Sequence, residues 1–340
     1  MNFWEAQDRA RKKTKYYLAA FVTITVFVAA IAEMAMRYFA PQAYTTDFPI
    51  LGFSFLVITF FVAFFNYSLY RQHGGSYVAE SIGAKRIHPN TEHPMEKQLL
   101  NIAEEIAISS GLPLPAIYII PAKQINAFAA GITSDNAAIA ITEGALRVLN
   151  RDEVQGVIAH EFGHIYNGDM KISLRLAAMV MGFFFALYMG MRILQFSGLS
   201  RSRSSNQKGA NPLAIAALIL MVAGVFSWFA GTLLKCVVSR EREYLADACA
   251  VQFTRNPDGI ANALRKIGHE THNDMPRGSA AFSHMYFDEH TGFSSLFATH
   301  PPLKKRIEAI EGKVYLPEEW KKELESHCHN PKDQFNLRNK

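Results

Sequence analysis

Four stretches of this chain are apolar at almost every position, and between them the pattern changes to helical and strand periods. Phe48 to Tyr70 and Gly209 to Leu234 contain no charged residue. Tyr16 to Ala32 and Leu176 to Met191 are shorter uncharged runs, flanked by Lys15, Glu33, Arg175 and Arg192. A helix needs about twenty apolar residues to cross a bilayer core, with long basic side chains able to snorkel at its ends. The second and fourth runs meet that length. The first does so with Glu33 and Arg37 at the far interface. The third is marginal, and a buried core helix is the alternative at its length.

The intervening segments read differently. Met95 to Ser110 has Leu99, Ile102, Ala103 and Ile106 on one helical face and stops at Gly111. Ala116 to Ile120 and Ala137 to Ile141 are short apolar runs of strand character. Asn150-Arg151-Asp152-Glu153 is a capping box, an N-cap side chain followed three residues later by an acid that reaches back. Val154, Val157, Ile158, Phe162 and Ile165 then form the buried face of a helix that Asn167-Gly168 ends. After Pro301-Pro302, Leu303, Ile307 and Ile310 mark another helix. Gly278 to Phe297 is rich in Phe, Met and Tyr without a period, a segment suited to a lid or to the membrane interface.

Charge adds an orientation. The net charge is +5, and much of the excess lies at the edges of the apolar runs, so no nucleic-acid partner is needed to explain it. Arg9, Arg11, Lys12, Lys13 and Lys15 precede the first run, whereas Ala40 to Asp47 has no basic residue. The positive-inside rule therefore puts the N-terminus in the cytoplasm and that short loop outside. Residues 71–171 and 235–340 return to the cytoplasmic side, with a hairpin between them. The basic loop Arg201 to Lys208 runs against this assignment. The acidic Glu33 and bulky neighbours make a poor cleavage site, so the first run reads as a retained anchor. Cys236, Cys249 and Cys328 have no paired spacing, which fits a reducing compartment. His327-Cys328-His329 in the polar tail is read as adventitious.

The chemistry is concentrated in His160-Glu161-Phe162-Gly163-His164. Residues four apart share a helix face, so both imidazoles can hold one metal ion while Glu161 stands beside it and takes a proton from water. Gly163 costs the helix roughly 1 kcal/mol relative to Ala, which a closely packed backbone would explain. Two histidines leave zinc short of ligands, and a catalytic site wants a third protein ligand with one position open. Ser239 to Ala250 offers Glu243 and Asp247, again four apart. They fit a third ligand and a carboxylate that holds a ligating histidine by its other N–H. A solvated juxtamembrane charge cluster explains the same pair equally well. His269-Glu270-Thr271-His272 has its histidines three apart and lacks helical context, so it is set aside.

Four segments in this order resemble the HtpX-type membrane zinc metalloproteases and, more distantly, the CAAX prenyl endopeptidases. They are Asn126 to Gly131, His160 to His164, Ser239 to Asp247 and Thr299-His300-Pro301-Pro302, within a match from about Pro94 to Ile310. The resemblance implies one Zn2+ per chain held by His160, His164 and Glu243 (rather than Glu241), with Asp247 behind a histidine. It implies Glu161 as general base, Asn126 in substrate binding, and His300 in stabilising the oxyanion, with Arg306 a further candidate for that role. The fold expected is a mainly α membrane protein of about four transmembrane helices carrying a cytoplasmic zincin-like α+β catalytic domain. Its parts would be a basic N-terminus (1–15), two spans (16–70), the first catalytic part (71–171), a membrane hairpin (172–238), the second catalytic part (239–312) and a polar tail (313–340). Substrates would be polypeptides, misfolded or damaged membrane proteins above all, paired by their backbone with an edge strand. Processing of a specific prenylated peptide and a non-catalytic scaffold with structural zinc are the alternatives.

Overall fold

The computed structural model describes residues 3–199, 211–269, 301–316 and 319–320. Their described parts fall into two compact units. One is drawn from residues 12–68 and 175–235, the other from 1–11, 69–174 and 236–340. The loop at 201–208, the segment at 278–297, His300 and the His327 cluster lie outside the described residues.

The first unit is helical because its residues have the length and apolarity to be nothing else. It is formed from parts of helices α1 (Phe3–Phe39), α2 (Ile50–Ser81), α6 (Asp169–Leu199) and α7 (Pro212–Thr254). Among the described residues, four windows are long and apolar enough to cross a membrane: Ala19–Phe39, Ile50–Ser81, Asp169–Phe196 and Pro212–Leu234. The run that was marginal on length is therefore part of a helix long enough to span. Phe60, Phe61, Phe64 and Phe65 are exposed on α2, the arrangement expected where hydrocarbon is the solvent. Glu33 lies buried near the end of α1 and caps the start of α2. Its Oε2 accepts from Leu51 N at 3.1 Å, Gly52 N at 3.2 Å and the Tyr44 hydroxyl at 2.9 Å. Arg37 Nε meets Glu33 Oε1 at 2.9 Å. These bonds serve backbone donors that the first turn of α2 leaves without helical partners.

The second unit holds a four-stranded sheet of order β1-β2-β4-β3, from β1 (Lys85–Arg86), β2 (Ala116–Ile120), β3 (Ala127–Ala130) and β4 (Ala138–Thr142). β2 and β4 are parallel, with Ile117 opposite Ile139, while β1 and β3 flank them antiparallel. The strand at 138–142 is therefore central, and β1 and β3 are the edges. A short helix, α4 (Glu143–Val148), separates it from the helix that bears His160 and His164. Thr142 makes that junction: its Oγ1 accepts from Asn126 N at 3.0 Å and Ala145 N at 3.2 Å, and donates to Gln124 O at 2.5 Å.

Helices α3 (Pro94–Ser110), α5 (Arg151–Asn167), α8 (Pro257–His269) and α9 (Leu303–Glu311) complete this unit. Leu99, Ile102 and Ile106 of α3, Val154, Val157, Ile158 and Phe162 of α5, Ile260 and Leu264 of α8 and Ile307 of α9 share one core with Ile139 and Ile141 of β4. His269 ends α8, so the helical context denied to it from sequence exists on its N-terminal side; residues 270–272 are outside the described set. α2 bends at Gly74, whose φ of 65° lies in the left-handed region. The next glycine lets that bend press on the sheet, since a Cβ at Gly75 would sit 2.1 Å from Ala130 O.

Candidate active site

The site starts from the capping of α5. Asn150 Oδ1 accepts from Glu153 N at 3.0 Å, and Glu153 Oε2 accepts from Asn150 N at 2.8 Å. Lys266 Nζ reaches the same carboxylate at 2.8 Å. With the start fixed, His160 and His164 lie one turn apart, ring centroids 4.8 Å from each other and planes perpendicular. Gly168, at φ 71°, ends the helix by donating to the carbonyls of His164 and Ile165.

α7 crosses α5 at this level. A Cβ on Gly163 would lie 3.0 Å from both Cα and O of Ala246, so the glycine is what admits the second backbone. That approach brings Glu243 between the imidazoles. Its Oε2 is 3.6 Å from His160 Nε2, and its Oε1 is 3.5 Å from His164 Nε2. One donor atom from each of the three residues lies within 4.8 Å of the others. Tetrahedral zinc with bonds of about 2.0–2.2 Å sets neighbouring ligand atoms roughly 3.3–3.5 Å apart. Both carboxylate–imidazole gaps are near that edge length, so the donor set fits zinc.

The remaining ring nitrogens are held by carboxylates. His160 Nδ1 lies 2.9 Å from Asp247 Oδ1, and His164 Nδ1 donates to Asp169 Oδ2 at 3.0 Å. Each contact turns the Nε2 lone pair of its imidazole toward Glu243. Arg306 of α9 is fully buried and forks onto Asp247, Nε to Oδ2 at 2.9 Å and Nη2 to Oδ1 at 2.7 Å. Its Nη1 is also 3.2 Å from Glu243 Oε2. Arg306, a candidate for the oxyanion, thus meets both Asp247 and Glu243. Arg242 in turn pairs with Asp169.

Glu161, Asp169, Glu243 and Asp247 are four carboxylates and Arg242 and Arg306 two guanidiniums, all but fully buried. Counted formally, the carboxylates outnumber the guanidiniums by the charge of one divalent cation. Burial pulls the His160 pKa down, yet hydrogen bonds to Asp247 and Glu243 outweigh it and push it up to about 9. His164 also rises despite burial, through its bond to Asp169. Burial works to raise the Asp247 pKa, but Arg306 and the His160 hydrogen bond hold it below the usual carboxylate value.

The structure therefore brings His160, Glu161, His164, Glu243 and Asp247 together. Asn126 is buried at the start of edge strand β3, where its Oδ1 accepts from Ala127 N at 2.9 Å. Asp169 was missed from sequence. Its signal was an acid placed directly beyond the glycine cap of the ligand helix.

Residues 94–314 match the model of peptidase family M48. A protease HtpX homolog of Thermoanaerobacter pseudethanolicus is 34% identical over 311 residues, covering 91% of this chain and 97% of that protein. One from Dictyoglomus turgidum is 32% identical over 327 residues, covering 94% and 96%. The crystal structure of S. mikatae Ste24p is similar at a TM-score of 0.44 and 18% identity, over 83% of this chain and 66% of that one.

Proposed function

The chain belongs to peptidase family M48 and is a zinc metallopeptidase with helices suited to a membrane; from that premise we propose that it cleaves misfolded or damaged membrane proteins at the cytoplasmic face. The observation that carries the reading is the convergence of His160, His164 and Glu243, with Glu161 adjacent, in a chain whose helices also have span length. The excess of basic residues before the first span, with none in Ala40 to Asp47, supports the cytoplasmic orientation. Segments 71–171 and 239–312 act together as one zincin-like catalytic domain interrupted by the hairpin at 172–238.

Nε2 of His160, Nε2 of His164 and the Glu243 carboxylate would hold the ion. When bound, zinc supplies Lewis acidity to the scissile carbonyl and to the attacking water. Glu161 accepts the water proton as the oxygen bonds to the carbonyl carbon, and gives it to the amine nitrogen as the C–N bond breaks. Asp247 and Arg306 keep His160 and Glu243 in place. Asn126 stands at the start of β3, the edge strand beside α5, and is assigned to aligning the substrate backbone there. His300 takes the developing oxyanion, an assignment that rests on its place in the Thr299 to Pro302 motif.

The test is purification of the full chain and of Glu161→Gln in detergent, with zinc content and cleavage of an unfolded protein measured for both. One zinc in each, with cleavage only by the native sequence, is expected. Zinc in both without cleavage by either would favour the scaffold reading, and loss of zinc from Glu161→Gln would remove that residue from its role as base.

A further inference from the structure

Each of the two imidazoles is backed by an aspartate, and each aspartate by an arginine, but the two relays come from different parts of the chain. His160 is held by Asp247 of α7 and Arg306 of α9. His164 is held by Asp169, the first residue of α6, and Arg242 of α7. α6 and α7 are the helices that continue into the third and fourth span-length segments. The second relay is therefore made only from the two arms of the hairpin, where they leave the catalytic unit.

We propose that Asp169 and Arg242 form a positioning pair through which the arms of the membrane hairpin set the orientation, and hence the metal affinity, of His164. The inference rests on the zinc-peptidase reading. Asp169 does more than an acid at a helix start does. It is buried, and one oxygen meets His164 Nδ1 while the other meets Arg242. Without Arg242 the carboxylate would be a buried charge without its guanidinium, free to turn away from the ring. Without Asp169 the imidazole can rotate or take the tautomer that protonates Nε2, the nitrogen facing Glu243. Displacement of the start of α6, where the third span-length segment begins, against the part of α7 that follows the fourth acts on the same pair. Asp169 reaches the site through His164 Nδ1, and Arg242 through Asp169, so the pair acts by holding the ligand.

The experiment follows zinc transfer from the purified full-length protein to a chromophoric chelator, and records the visible spectrum of the Co2+-substituted form. Asp169→Asn should speed zinc loss about 10–100-fold, the usual range for losing such a partner, and shift the cobalt bands. Arg242→Gln should also speed loss, but change the rate by less than twofold once Asp169→Asn is present. Arg242→Lys, which restores a positive charge, should recover most of the native rate. If Asp169→Asn does not fold alone, the double variant, which leaves no unpaired buried charge, carries the comparison with the native protein. Native rates and cobalt bands in folded Asp169→Asn or in the double variant would overturn the pair. So would an undiminished effect of Arg242→Gln in the Asp169→Asn background. Absence of zinc from the native protein would instead overturn the metallopeptidase reading itself.

Discussion

Replacing Gly163 by alanine tests whether the close approach of α5 and α7 sets the metal site. The added methyl would lie 3.0 Å from Cα and O of Ala246 and from Cβ of Cys249. Carbon atoms pack without repulsion at about 3.5–4.0 Å, so the helices must part by roughly 0.5 Å there. Glu243, one turn from Ala246 on α7, already stands 3.5 and 3.6 Å from the two Nε2 atoms. Adding that shift takes it to about 4 Å, beyond the roughly 3.3–3.5 Å that one tetrahedral zinc spans. Overpacking of this kind costs about 1–3 kcal/mol, while alanine returns about 1 kcal/mol of helix propensity. The metal-free fold should lose about 0–2 kcal/mol. Zinc should bind about tenfold more weakly, since about 1.4 kcal/mol corresponds to a factor of ten. Zinc transfer to a chelator and melting of the metal-free protein measure the two quantities separately. A folded Gly163→Ala with native zinc transfer would refute the link between helix spacing and ligand geometry. A metal-free form more stable than the native one would show that propensity outweighs packing.

Two further substitutions probe the buried charges. Asp247→Asn leaves the Arg306 guanidinium buried without its bidentate partner and should cost about 3–5 kcal/mol, seen as a lower melting temperature of metal-free protein. An unchanged melting temperature would mean that Glu243 alone neutralises Arg306. Glu33→Ala removes the acceptor for Leu51 N, Gly52 N and the Tyr44 hydroxyl. It should destabilise the detergent-solubilised protein by about 1–3 kcal/mol, measured by thermal unfolding, with cleavage by the remaining folded enzyme intact. Native stability would show that water or lipid headgroups replace the cap.

What could be seen in the sequence was what is local. The helix bearing His160 and His164 is bounded by Asn150, Glu153 and Gly168, all within the range of a cap, and the ligand pair by a four-residue spacing. Leu99, Ile102 and Ile106 likewise repeat often enough to mark α3. β1 and β3 escaped because two or four residues carry no measurable period, and Ala127 to Ala130 is bland in composition. With β3 unseen, the central position of β4 was not legible either. The third candidate ligand was accessible only as one reading of Glu243 and Asp247, since a charge cluster at a membrane edge shows the same spacing. Nothing in a one-dimensional pattern says that Gly163 faces Ala246, although an unfavourable glycine in a strong helix was a reason to expect a neighbour.

The residues that hold the ligands were the least visible, for a reason of distance. Asp169 and Arg242 are separated by 73 positions and Asp247 and Arg306 by 59, and they meet only when the chain has returned from the hairpin and α9 has docked. A motif helix by itself presents two imidazoles on one face, but each ring can turn about its side-chain bonds. Two buried aspartates limit that freedom, and two buried arginines pair with the aspartates. Metal-ligand spacing is thus written into one helix, whereas ligand orientation depends on tertiary contacts from α6, α7 and α9. The two should fail differently. Loss of a histidine removes a donor atom, while loss of an aspartate leaves every donor present and weakens the hold on the ion.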